Sequence, residues 1–133
     1  MTYSPGGIRQ FIRQTLGCTC PDEVFERIEQ GASHESIADI PVSQRLLIGE
    51  QLLVYLWQPD AINSLKRDLP RVVERGRYER DANGYNRFRL VILTHGSEAL
   101  EKTAGELFRE AAGDDKKLHI HFVDAAEAEA ALR

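Results

Sequence analysis

The run RLLIGEQLLVYLW, Arg45–Trp57, decides the fold. Gly49-Glu50 divides it into two apolar segments, Arg45–Ile48 and Gln51–Trp57, which read as paired strands joined by a tight turn. A single strand bulged at Gly49 is the alternative. In the second segment Leu52, Val54 and Leu56 alternate with Leu53, Tyr55 and Trp57, so both faces are apolar. A strand of that kind belongs in the middle of a sheet covered from both sides.

Downstream, Gln58-Pro59-Asp60 leads into Ile62, Leu65, Leu69, Val72 and Val73 at helical intervals. Pro70 is expected to kink or restart this helix and Gly76 to end it. In RYERDANGYNRFR, 77–89, Asn83-Gly84 predicts a projecting hairpin, or a loop feeding the next strand, Arg87–Thr94. Ser97–Ala112 carries a helical stripe of Leu100, Ala104, Leu107, Phe108 and Ala111. A strand at Leu118–Val123 and a helix at Ala125–Leu132 follow.

Upstream, Ile8, Phe11, Ile12 and Leu16 form a helical stripe that Gly17 ends. Cys18-Thr19-Cys20 then precedes Pro21, which suits the first position of a second helix running to about Glu29. Ile37–Val42, broken by Pro41, is at best an edge strand. The expectation is one domain over residues 1–133, with an N-terminal helical pair in 1–31 and a sheet with its packing helices in 37–133. The fold class is α/β, with α+β as the alternative. It has a mixed sheet of four or five strands, an early antiparallel hairpin, and parallel crossovers that place helices on the sheet.

At 133 residues and 42% hydrophobic content, the chain is long enough for one real core. Its net charge of −4 opposes general attraction to nucleic acid or to membrane surfaces. No signal-like or membrane-length apolar run is present, and two cysteines two positions apart cannot staple a fold. A cytoplasmic protein without a membrane role is the expectation.

Candidate sites are unequal. Cys20, at the cap of the second helix, faces outward-pointing amides that favour thiolate, while Asp22 and Glu23 oppose it. With Cys18 it can form a small strained disulfide or supply half a site for a soft transition metal such as zinc. The pair is similar to the first cysteines of the bacterioferritin-associated ferredoxin-like [2Fe–2S] domain. The second pair of that family, Cys-x-x-Cys, has no counterpart after Cys20, so no residue roles carry over. His119 and His121 share one face of the last strand and are further metal candidates beside the cysteines.

Asp60, His95 and Ser97 fall at the carboxyl ends of the parallel strands, where open α/β sheets collect ligands, and suit a small-anion-binding enzyme. Between Lys66 and Arg89 eight basic residues face four acids, while the chain as a whole is acidic. Within that band Arg71, Arg75, Arg77, Tyr78, Arg80, Tyr85 and Arg87 are candidates for a protein partner or self-association, with RNA the weaker option. No Gly-x-Ser-x-Gly, His-Glu-x-x-His or P-loop is present, so the sequence assigns no catalytic class.

Overall fold

A computed structural model describes residues 3–17, 22–30 and 42–132. Five strands form one mixed sheet in the order β1-β2-β3-β4-β5. They are β1 (Ile28–Gln30), β2 (Gln44–Ile48), β3 (Leu52–Trp57), β4 (Arg87–Thr94) and β5 (Leu118–Asp124). β2 runs antiparallel to β1 and β3, while β4 and β5 run parallel to β3. Strand β3 is central and buried along its whole length, as its two apolar faces require.

The β2–β3 turn is tight because both Gly49 (φ 59°) and Glu50 (φ 58°) take left-handed backbone. Two positive φ angles match the right-handed twist of a two-residue hairpin. A Cβ on Gly49 would lie 2.6 Å from that of Val24, so only glycine fits there. Glu50 has no such excuse, and a side chain other than Gly or Asn costs about 1 kcal/mol in this conformation. Glu50→Asn is therefore expected to raise the urea midpoint by an amount equivalent to about 0.5–1 kcal/mol. A lowered midpoint would show that the exposed Arg27–Glu50 ion pair (3.0 Å) outweighs the backbone term.

Both crossovers lie on one face of the sheet. α2 (Ile62–Asn83) contributes Leu65, Leu69, Val72 and Val73, and α3 (Glu98–Ala112) contributes Leu100, Ala104, Phe108 and Ala112. These residues pack on Leu53, Tyr55, Trp57, Phe88, Leu90 and Ile92. The opposite face is covered by the two ends of the chain. α1 (Pro5–Gln10) continues as a π-helical turn (Phe11–Thr15), and α4 is Ala125–Leu132. Ile8, Phe11, Ile12, Leu16, Ala128 and Leu132 meet Leu46, Ile48, Leu52, Val54, Leu56 and Val91 there.

Several expectations are corrected. The segment after Pro21 is a short 3-10 helix (Asp22–Glu26) followed by β1, because Ile28 and Gln30 pair with Ile48 and Leu46. Backbone pairing with β2 outcompetes the local helical pattern. Gly76 does not end α2, and Pro70 sits exposed within it. The apolar stripe that α2 buries outweighs the local penalty of about 3 kcal/mol for an internal proline. Asn83-Gly84 makes no hairpin; Gly84 (φ 72°) is the left-handed cap that stops α2. Of the Ile37–Val42 stretch only Val42 lies within the described residues.

Candidate functional site

The period-2 alternation of β4 splits its residues between the two faces. Phe88, Leu90 and Ile92 enter the α2/α3 core, and Val91 enters the core beneath α1 and α4. Arg87 and Arg89 share the face of Val91. On β5, Leu118 joins the first core and Val123 the second, so His119 and His121 lie on the same side as the two arginines. Strand register then brings the four together. Arg89 stands directly opposite His119, with Val91 opposite His121. The Arg87 Nη1 lies 2.9 Å from His119 Nε2, and the Arg89 Nη1 lies 2.8 Å from His121 Nε2.

These contacts fix the protonation of the rings. A guanidinium has only donors, so each Nε2 must be the acceptor, and each imidazole is neutral with its proton on Nδ1. Burial first, and then the Arg89 charge, lowers the pKa of both histidines, with His121 brought down to about 4. Burial and the Arg87 charge likewise lower that of Arg89. Arg89 Nη1 also donates to the Leu16 carbonyl at 3.4 Å, and its buried Nε finds no partner among the described residues. Arg13, on the π-helical turn, stacks over Phe25 at 5.2 Å. The Asp115 carboxylate, whose charge reaches His119, is already engaged with Arg80 at 2.7 and 3.0 Å. The result is a half-buried string of two fixed cations and two neutral rings. Among the described residues it is well supplied with donors and short of counter-charge.

The rest of the basic band is spread over the other side of the sheet. Arg80 makes a bidentate pair with Asp115 and a further bond to Asp81, tying α2 to the α3–β5 loop. Arg77 donates to the Ala111 and Ala112 carbonyls at 2.6 and 3.0 Å, which satisfies the end of α3, and also pairs with Glu74. Arg67 and Arg71 flank the buried Asp68 carboxylate. Arg75 and Tyr85 are half-buried, and burial raises the pKa of the Tyr85 phenol while the Arg45 charge lowers it. Tyr78 is a large exposed side chain at 66%. The Arg/Tyr segment thus divides between two faces, and only Arg87, with Arg89, reaches the histidines.

At the strand ends, His95 Nε2 lies 3.0 Å from the Gln58 amide nitrogen, and Ser97 caps α3 by accepting from Leu100 N. Asp60 is exposed in the turn before α2. A cleft of about 500 Å³ beside His95 is lined by Tyr3, Ser43, Gln58, Glu129 and apolar side chains, with neither Asp60 nor Ser97 in its wall. Among the described residues its wall offers no lysine or arginine to an anion.

Cys18 and Cys20 lie outside the described residues. Among the described residues no group of three or more His, Cys, Asp or Glu side chains could hold a metal ion. A cation between His119 and His121 would also meet Arg87 and Arg89, whose charges repel it. No helix among the described residues is long and apolar enough to cross a membrane. Compared with known proteins, the chain matches no family model, no curated protein and no solved structure.

The sequence singles out His119 and His121 as metal candidates and Arg87 as an interaction candidate; it does not single out Arg89 or join the four. The available signal was Arg87-Phe88-Arg89, whose alternation matches that of His119-Ile120-His121.

Proposed function

We propose that this chain is an anion-recognition module that holds an oxyanion, a phosphate group first among them, at Arg87, Arg89, His119 and His121. One observation carries the reading: two arginines and two neutral histidines line one strip of β4 and β5, each arginine bonded to a histidine. Guanidinium groups suit phosphate oxygens because their donors are planar and paired. Their present partners, neutral ring nitrogens, are weaker acceptors than a charged oxygen, so an arriving oxyanion makes the better bond.

The test is calorimetric titration of inorganic phosphate and of sulfate at low ionic strength, where partly exposed charges are least screened. Losing one charge-assisted bond is worth about 1.5–3 kcal/mol, so Arg87→Ala is expected to weaken binding roughly 10-fold or more. The Arg87→Ala/Arg89→Ala double variant is expected to abolish it. Equal affinity in the double variant and the parent chain would refute the site.

A further inference from the structure

We infer that oxyanion capture at the Arg87/Arg89/His119/His121 string is coupled to proton uptake by the two histidines, so that the site tightens as the pH falls. This rests on the anion-recognition reading above and adds its regulation. With no ligand, each Nε2 accepts a bond from an arginine, an arrangement that requires the neutral ring. An oxyanion that draws the guanidinium donors onto itself leaves both Nε2 atoms without a donor. Protonation then turns each ring from an acceptor into a second donor, aimed along the same strip, and the anion supplies the charge that makes imidazolium tolerable there. One proton enters per ring from solvent and forms the Nε2–H bond, and no other covalent bond is made or broken.

The surrounding charges set the sign. On β4 stand Arg87 and Arg89, which oppose ring protonation until an anion offsets them. Arg13 of the π-helical turn is held over Phe25, and its charge is not among those acting on either ring. From the loop before β5 comes Asp115, bound by Arg80, whose hydrogen bond holds its carboxyl below the usual carboxylate range. On α4, Ala128 and Leu132 are buried while Glu127 and Glu129 are exposed, and Glu23 and Glu26 of the 3-10 helix are exposed as well. In the empty site burial and the arginine charges therefore disfavour ring protonation, and an anion that offsets those charges favours it. Where the bound state holds more protons, affinity rises as pH falls, by up to ~10-fold per pH unit for each coupled ring.

Sulfate is the probe of choice, because it remains a dianion throughout the working range and any pH effect belongs to the protein. Titrations at about pH 7.5, 6.5 and 5.5 span the ordinary histidine range. The chain is expected to bind sulfate at least ~10-fold more tightly at the lowest of these than at the highest. His119→Asn/His121→Asn is expected, whatever its affinity at the highest pH, to lose most of that gain on going to the lowest. Whatever gain remains measures the general drift of net charge.

A second readout needs no variant. Calorimetry in two buffers of different ionisation enthalpy counts protons directly, and net uptake on sulfate binding is expected near pH 6.5. Sulfate binding that is independent of pH, or that takes up no protons, overturns the coupling and leaves the anion site standing. No sulfate binding at any pH, or binding that Arg87→Ala/Arg89→Ala leaves unchanged, overturns the site itself.

Discussion

Replacing Glu79 with alanine is expected to remove roughly 3–5 kcal/mol of stability, a large share of what a domain of this size possesses. Glu79 sits on α2 and is 3% exposed, and Arg45 on β2 is 5% exposed. Arg45 donates through Nε (2.7 Å) and Nη2 to Glu79 Oε2, while the Tyr55 hydroxyl donates to Oε1 at 2.5 Å. One carboxylate thus ties the long helix to two adjacent strands.

The magnitude follows from what is left behind. Deleting the acid removes the buried acceptor to which both a buried guanidinium and a buried phenol donate. Changing both charged residues to apolar ones of similar size removes the desolvation problem together with the pair. Arg45→Met/Glu79→Leu should therefore lose much less than Glu79→Ala alone. Urea unfolding of the three chains checks this, and a loss below about 1 kcal/mol for Glu79→Ala would mean the network is not held out of water.

The second large effect is expected at Gly76, where local and tertiary physics disagree in sign. Inside a helix, Gly→Ala ordinarily gains about 1 kcal/mol. Here a Cβ would lie 2.3 Å from the Phe88 ring, which is completely buried and packed edge-on against Tyr55 with centroids 4.9 Å apart. Phe88 has nowhere to retreat, so overpacking of up to about 3 kcal/mol outweighs the propensity gain. Gly76→Ala is expected to destabilise by about 2 kcal/mol. Gly76→Ala/Phe88→Leu should recover part of the loss because the two positions share one space. A stabilised Gly76→Ala chain would show that α2 can lift from β4 at little cost.

The same glycine shows why part of the fold was legible in the sequence and part was not. Leu52–Trp57 announces its place because a strand apolar on both faces has few alternatives, and the turn at Gly49-Glu50 follows from it. Gly76 and Gly84 carry local signals that fit several structures. A glycine in a helical pattern marks an end or a close approach, and only Phe88, twelve positions on, decides between them. Asn83-Gly84 serves a hairpin or a helix cap equally well, since both need left-handed backbone. Ile28–Gln30 became a strand through pairing with Leu46–Ile48, information that lies outside its own window.

The candidate site has the same character. That His119 and His121 share a face was readable from their spacing, and so was the matching alternation of Arg87 and Arg89. Their contact depends on the parallel register of β4 and β5, which links residues 32 positions apart. The basic band looked continuous along the sequence, yet alternation along β4 and the separate course of α2 divide it between opposite sides of the sheet.

The layer formed by α1 and α4 has a kinetic consequence. Ser4 N donates to the Leu132 carbonyl at 3.2 Å, and Gly7 is pressed so close to that carbonyl that a Cβ would come within 2.6 Å of it. Segments at opposite ends of the described chain thus close the sheet's second face. Closing so long a loop adds little at equilibrium, because the entropy grows only with the logarithm of length. It weighs on the rate instead, since contacts of wide sequence separation form late. The hairpin and the two crossovers join near neighbours in sequence, so the α1–α4 contact is expected to be the part of the fold that most slows its formation.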